Sequence, residues 1–161
     1  MPSIYVGTFN TYNNGSLKGA WLDLSDYADR NAFYEACAEL HADESDPEYM
    51  FQAWEDIPDG FISECSIKDE FWEYMNHPAD EDAKAAYMAC FDEWDEDKFE
   101  ERYHGQFDSW TKMAEELLES TGDLDAIPES LRYYFDYEAY ARDMRLGGDM
   151  CEHDGYFFWN N

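Results

Sequence analysis

Basic residues are scarce in this chain: ten lysines and arginines stand against 39 aspartates and glutamates in 161 residues, a formal charge of -29. That deficit excludes direct binding to nucleic acid or to an anionic membrane, and it implies a cationic partner. β-Branched aliphatics are scarce too. Val6 is the sole valine, and Ile4, Ile57, Ile62, Ile67 and Ile127 are the only isoleucines, which speaks against a large parallel sheet. No apolar run approaches the roughly 18 residues that a membrane span requires. Met1-Pro2-Ser3-Ile4-Tyr5 offers neither a basic n-region nor an apolar h-region, so a cytoplasmic protein is expected. The four cysteines, Cys37, Cys65, Cys90 and Cys151, are widely spaced without a CxxC pair, and reduced thiols are expected rather than a disulfide framework.

Catalytic and metal motifs are missing as well. There is no G-x-S-x-G, P-loop or G-x-G-x-x-G, and Gly147-Gly148 reads as a helix stop. His41, His77, His104 and His153 sit singly, outside any HExxH or Cys/His cluster, and read as ordinary surface histidines. The acidic run from Asp92 to Phe99 lacks the glycine turn and spaced terminal glutamate of a calcium loop. No metal, no cofactor and no enzymatic activity are expected. With 39 acids, the spacing of any two carries no weight as a catalytic pair.

What the chain has in abundance is aromatic: 6 Trp, 13 Tyr and 11 Phe. Disordered acidic tails lack such residues, because without apolar surface to bury they cannot offset chain entropy. Acids and aromatics are interleaved here from end to end, so the acids are expected on a folded surface. Their mutual repulsion destabilises any compact state, which suggests a function that needs the negative field. Duplex DNA carries one charge per about 1.7 Å of axis, and 29 net charges then match roughly 15 base pairs. A folded protein of that sign and density could occupy a DNA-binding groove.

Periodicity divides the chain into three segments and predicts an α+β fold. In residues 1–60, Ile4–Phe9 and Leu17–Leu22 read as a hairpin around Asn13-Asn14-Gly15. Asp26 or Asp29 can cap a helix over 30–40 with Phe33, Cys37 and Leu40 on one face, and 48–55 reads as a third strand with Tyr49, Phe51 and Ala53 alternating. Residues 61–105 read helical throughout, a small bundle with an acidic skin. Ser66 caps the first of its helices, the second begins near Asp80, and the third runs from Asp95 to Tyr103 and is stopped by Gly105. In residues 106–161, Asp108 caps a helix carrying Trp110, Met113, Ala114, Leu117 and Leu118 at i, i+3, i+4, i+7 and i+8. Pro128 suits the first turn of the next helix, Asp136 caps another through Met144, and Met150–Trp159, bent at Asp154-Gly155, closes the chain as a hairpin. The run from Tyr133 to Tyr140 carries more aromatics than one buried stripe needs. Some must be covered by a self-association surface, or by the closing hairpin.

The stretch Leu124-Asp125-Ala126-Ile127-Pro128-Glu129-Ser130-Leu131-Arg132-Tyr133-Tyr134-Phe135-Asp136-Tyr137-Glu138-Ala139-Tyr140-Ala141-Arg142-Asp143-Met144 resembles the signature of the ArdA antirestriction proteins. The opening is similar to the family too, with Ile4-Tyr5-Val6 leading through Asn13-Asn14-Gly15 to Leu17-Lys18-Gly19-Ala20-Trp21. The resemblance implies an elongated α+β protein of three small subdomains, carried on a mobile genetic element. It implies a homodimeric DNA mimic that occupies the DNA-binding groove of type I restriction-modification enzymes. It also implies that the motif lies at or beside the dimer interface, which would involve Pro128, Leu131, Tyr134, Phe135, Asp136, Tyr137, Tyr140, Ala141, Arg142 and Asp143. The unusually acidic, Trp-rich middle departs from the family pattern.

The mimic surface is then expected on the acids of the middle segment and the helix that follows. These are Asp69, Glu70, Glu73, Asp80, Glu81, Asp82, Asp92, Glu93, Asp95, Glu96, Asp97, Glu100, Glu101, Glu115, Glu116 and Glu119. Two rival classes fit the same composition: a halophile-adapted enzyme, and an acidic mimic or adaptor for other basic DNA-binding proteins.

Overall fold

The computed structural model describes residues 1–160, which fold as two compact units. The first comprises residues 1–79 and 92–96, the second residues 80–91 and 97–160. Both mix helix with a small antiparallel sheet, so the fold class is α+β as the periodicity predicts.

The first unit is built on β1 (Ser3–Thr8), which lies between β2 (Ala20–Asp23) and β3 (Tyr49–Glu55) in an antiparallel sheet. The expected opening hairpin therefore forms, with Ser3 opposite Asp23 and Val6 opposite Ala20. Its connection is not a simple turn. A short helix α1 (Phe9–Asn13) starts where the Thr8 hydroxyl accepts the Thr11 amide, and Gly15 then takes φ +78°. The third strand forms, but its expected alternation fails at Ala53, which is exposed. The pairing of β1 with β3 slips between Tyr5 and Val6, so that Tyr5 faces Ala53 while Val6 faces Phe51. A bulge at Gln52 thus moves Trp54, rather than Ala53, to the position opposite buried Ile4.

Helix α2 (Arg30–Leu40) is capped by Asp29, whose side chain accepts the Ala32 amide, and it buries Phe33 and Cys37 while Leu40 is half-buried. Desolvation pushes the buried Cys37 thiol up to about 12. Ser66 is not a helix cap. It closes a tight turn in which Ile62 bridges Ile67 and Ser63 N–H donates to Ser66 O, so helix α3 starts later and spans Glu70–Asn76. Its buried Phe71, Trp72 and Tyr74 join Phe61 and Trp94 in an aromatic core, with ring centroids 4.9 Å apart for Phe61–Tyr74 and 5.1 Å for Tyr74–Trp94. The Tyr74–Trp94 pair is edge-on, a geometry that adds a favourable quadrupole contact to the area buried.

In the second unit, α4 (Glu81–Phe91) and α5 (Glu96–Arg102, of which residues 97–102 belong here) precede a strand that the sequence reading missed. Tyr103–Gln106 forms β4 rather than a helix end, and with β5 (Met150–His153) and β6 (Tyr156–Trp159) it makes a sheet of order β4-β6-β5. The middle segment is therefore not helical throughout. The closing hairpin forms as expected, with Asp154 at φ 51° and Gly155 at φ 86° supplying its turn.

Helix α6 (Trp110–Thr121) is capped by Ser109, which accepts the Lys112 amide, and not by Asp108. Pro128 stands just before α7 (Glu129–Arg132), and Asp136 caps α8 (Tyr137–Gly147), which ends at Gly148 in the left-handed conformation. Met113, Met144, Met150 and Phe157 form one buried cluster under α6, α8 and the hairpin, and Tyr87, Phe99 and Phe158 pack together beside β6. Cys90 and Cys151 are disulfide-bonded, Cα atoms 6.1 Å apart, tying the end of α4 to β5. This corrects the expectation of four reduced thiols. The partners are 61 residues apart, and only the docking of the hairpin on α4 brings them together.

Candidate functional site

What stands out among the described residues is the display of charge. Of the sixteen acids expected to form the mimic surface, all are exposed except Asp95 and Glu115, which are half-buried. Asp69, Glu70, Glu73, Asp92, Glu93, Asp95 and Glu96 belong to the first unit. Asp80, Glu81, Asp82, Asp97, Glu100, Glu101, Glu115, Glu116 and Glu119 belong to the second. They ride on α3, α4, α5, α6 and the turns between, because each helix uses its narrow apolar stripe for the core and turns its remaining face to water.

Several of these carboxylates are held in place. Arg30 Nε lies 3.1 Å from Asp69 and Lys112 Nζ 3.5 Å from Glu115. Lys84, fully buried on α4, reaches Glu81 at 2.9 Å. Asp80 accepts the Tyr156 hydroxyl at 3.0 Å, and burial followed by that bond pushes the phenol up to about 12. The cations thus position acids rather than neutralise the surface as a whole.

The histidines correct the sequence reading. His41 is buried outright, and the His77 and His104 side chains are 5% and 16% exposed; only His153, at 50%, is a surface histidine. They pack against rings: His77 on Trp94, His104 on Phe107 and Trp159, His41 near Tyr49.

The aromatic run divides into two parts. Tyr140 packs on the methionine cluster, with Phe135 6.0 Å from Tyr140 and 5.1 Å from Tyr137, and Ala141 is buried at 2% exposure. Those residues serve the internal face. Tyr133 and Tyr134, by contrast, are 88% and 76% exposed, beside Leu131 at 54%. Pro128, Asp136, Arg142 and Asp143 are exposed, Asp136 with its side chain accepting the Ala139 amide at 3.0 Å. The motif therefore has a structural half and an outward half.

An α+β protein that spends its apolar residues on two small cores and displays carboxylates elsewhere belongs to the class of acidic binding proteins. More particularly, the chain belongs to the antirestriction protein (ArdA) family, whose model matches residues 4–158. Its function is therefore antirestriction, its partner a restriction-modification enzyme, and its family is not one of enzymes. No curated protein matches the chain. Among the described residues, no helix is long and apolar enough to cross a membrane.

Proposed function

We propose that the protein is a DNA mimic that occupies the DNA-binding groove of the methyltransferase core of type I restriction-modification enzymes, in the cytoplasm and without chemistry of its own. The observation that carries this reading is the exposure of fourteen of the sixteen acids on folded helices and the turns that join them. Carboxylates held at fixed positions can replace phosphates against lysines and arginines through charge-assisted hydrogen bonds, and binding releases ions from both partners. In this reading residues 1–60, 61–105 and 106–161 act as three subdomains.

The active form is a homodimer joined through the outward half of the motif, with Leu131, Tyr133 and Tyr134 covered by a second copy. An exposed apolar cluster of this kind is what an isologous interface uses. A dimer doubles the charge match to roughly 30 base pairs, which suits a large multisubunit enzyme.

The test is displacement of labelled DNA from a purified type I methyltransferase over a salt series. Affinity should fall linearly with log salt, as it does for DNA. Binding indifferent to salt, or equally tight binding to unrelated basic DNA-binding proteins, would defeat the proposal; the second result would favour the adaptor. For the dimer, Tyr134→Asp is the informative change, since Ala141→Asp would strike the core. It should yield monomers with an unchanged circular dichroism spectrum, binding more weakly but with the same salt-dependent character. A variant that stays dimeric with full inhibition places the interface elsewhere.

A further inference from the structure

Where α2 ends, the chain turns through His41-Ala42-Asp43-Glu44-Ser45-Asp46 before entering β3, and this turn faces an open cleft shared with Asn10 and Asn13 of α1. Asp43 and Glu44 line the cleft, and His41 lies buried beside them. His41, Asp43 and Glu44 each bring one potential ligand atom into a group whose members all lie within 4.8 Å of one another.

An acidic turn alone would mean little in this chain, but His41 adds a separate observation. Its ring is fully buried, and Nε2 lies 3.1 Å from the carbonyl oxygen of Val6 on β1. A carbonyl only accepts, so Nε2 carries the proton, and in the neutral ring Nδ1 is left with a lone pair. That Nδ1 is buried and has no hydrogen-bond partner. Its nearest carboxylate oxygen, Glu44 Oε2, is 4.0 Å away, too far for a hydrogen bond. A backbone carbonyl that fixes one ring nitrogen while the other is offered to an ion is the usual outer arrangement of a metal-bound histidine.

Glu44 is prepared in the same way. Its side chain is 14% exposed, and Oε2 accepts the buried Thr8 hydroxyl at 2.8 Å, while Thr8 also caps α1. Asp43 is exposed, and Lys18 Nζ stands 2.6 Å from its Oδ2, which lowers the carboxyl below its ordinary value. Asp43 Oδ1 is the oxygen that remains for an ion. At bonds of about 2.1 Å, two ligands on a tetrahedral ion stand roughly 3.4 Å apart. Closing the group around an ion therefore asks the His41–Glu44 pair to contract by only part of an ångström from 4.0 Å, and no pair in the group by more than about 1.4 Å from the 4.8 Å bound.

We infer that His41 Nδ1, Asp43 and Glu44 form a binding site for a first-row divalent cation of the zinc type. The imidazole nitrogen selects against magnesium and calcium, which prefer all-oxygen sets. Water, or an amide oxygen from Asn10 or Asn13 across the cleft, would complete the coordination. The bound ion would pin the turn between α2 and β3 to β1 and α1, and it would remove two carboxylate charges from a chain with a large excess of them.

The experiment titrates Zn²⁺ into the intact protein in excess Mg²⁺, which loads the diffuse carboxylate field. One Zn²⁺ per chain should survive that competition, with a large ¹⁵N shift at His41 Nδ1 and little at Nε2. It should also raise the melting temperature, because only the folded chain holds the site. Asp43→Asn and Glu44→Gln should each weaken binding by about tenfold or more, judged against the loss that even outer-sphere changes cause; Glu119→Gln should leave it unchanged. Zinc that Mg²⁺ displaces, affinity indifferent to both variants, or an unshifted His41 signal would each overturn the site. The His41 signal is read on the unaltered protein, so the test does not depend on the variants folding.

Discussion

Tyr156 shows how one side chain links the charge of this protein to its stability. It is 6% exposed on β6, and its hydroxyl donates to Asp80, ahead of α4. Burial first, and the Asp80 bond second, raise the phenol from an ordinary value of 10.0 to about 12. The native state therefore holds the proton over a range where the unfolded chain has released it, and stability must fall as pH rises through that range. Below the ordinary value the contribution is fully present. Tyr27, Tyr34, Tyr49 and Tyr103 are shifted upward as well, each chiefly by burial, and add to the same alkaline loss. Urea midpoints measured from neutral pH to about pH 11 should drop steeply above about pH 10. Tyr156→Phe should start lower at neutral pH, for want of the bond, and fall less steeply. Parallel curves for the two proteins would show that Tyr156 does not titrate as argued.

At the scale of elements, α6 and α8 start at side-chain caps, and those caps can be tested singly. Ser109 accepts the Lys112 amide at 3.1 Å and Asp136 accepts the Ala139 amide at 3.0 Å. Alanine at either position should cost about 1 kcal/mol in denaturant unfolding, whereas Asp108→Ala, one residue before the true cap, should cost almost nothing. The contrast between Ser109 and Asp108 also marks how much was legible beforehand. Patterns closed within a dozen residues were readable: the stripe of α6, the Asp136 cap, the Asp154-Gly155 turn, and the cap of α2 down to a choice between Asp26 and Asp29. Features decided by distant partners were not. Tyr103–Gln106 is too short to announce a strand, and it becomes β4 only by pairing with β6 some fifty residues later. The Gln52 bulge, the Cys90–Cys151 pair and the burial of His41 under the Val6 carbonyl are of the same kind. The candidate site divides likewise. The exposure of the acids follows from helical periodicity, while the split of the motif into core residues such as Ala141 and outward ones such as Tyr134 depends on tertiary packing.

For the whole molecule, the net charge of -29 makes binding and stability pull in opposite directions. Like charges crowded on a small surface oppose the compact state, while the same charges would supply the contacts to a cationic groove. Neutralising them in groups separates the two effects. A single Asp→Asn or Glu→Gln change among residues 80–101 should alter target affinity by no more than about 1 kcal/mol, as for other exposed ion pairs. The group Asp92, Glu93, Asp95, Glu96 and Asp97 changed together should behave differently. Every carboxylate that no longer pairs with a groove cation takes about 0.9 from the slope of log affinity against log salt. The combined variant should therefore bind more weakly at low salt and with a visibly flatter slope. Its thermal stability should rise at the same time, most at low ionic strength, where the repulsion removed is least screened. The Asp92→Asn change adds little strain of its own, since asparagine tolerates the positive φ found there. Weaker inhibition accompanied by lower stability would mean that these acids hold the fold rather than face the enzyme. One residue whose loss abolished inhibition alone would mean a discrete recognition site instead of a distributed field.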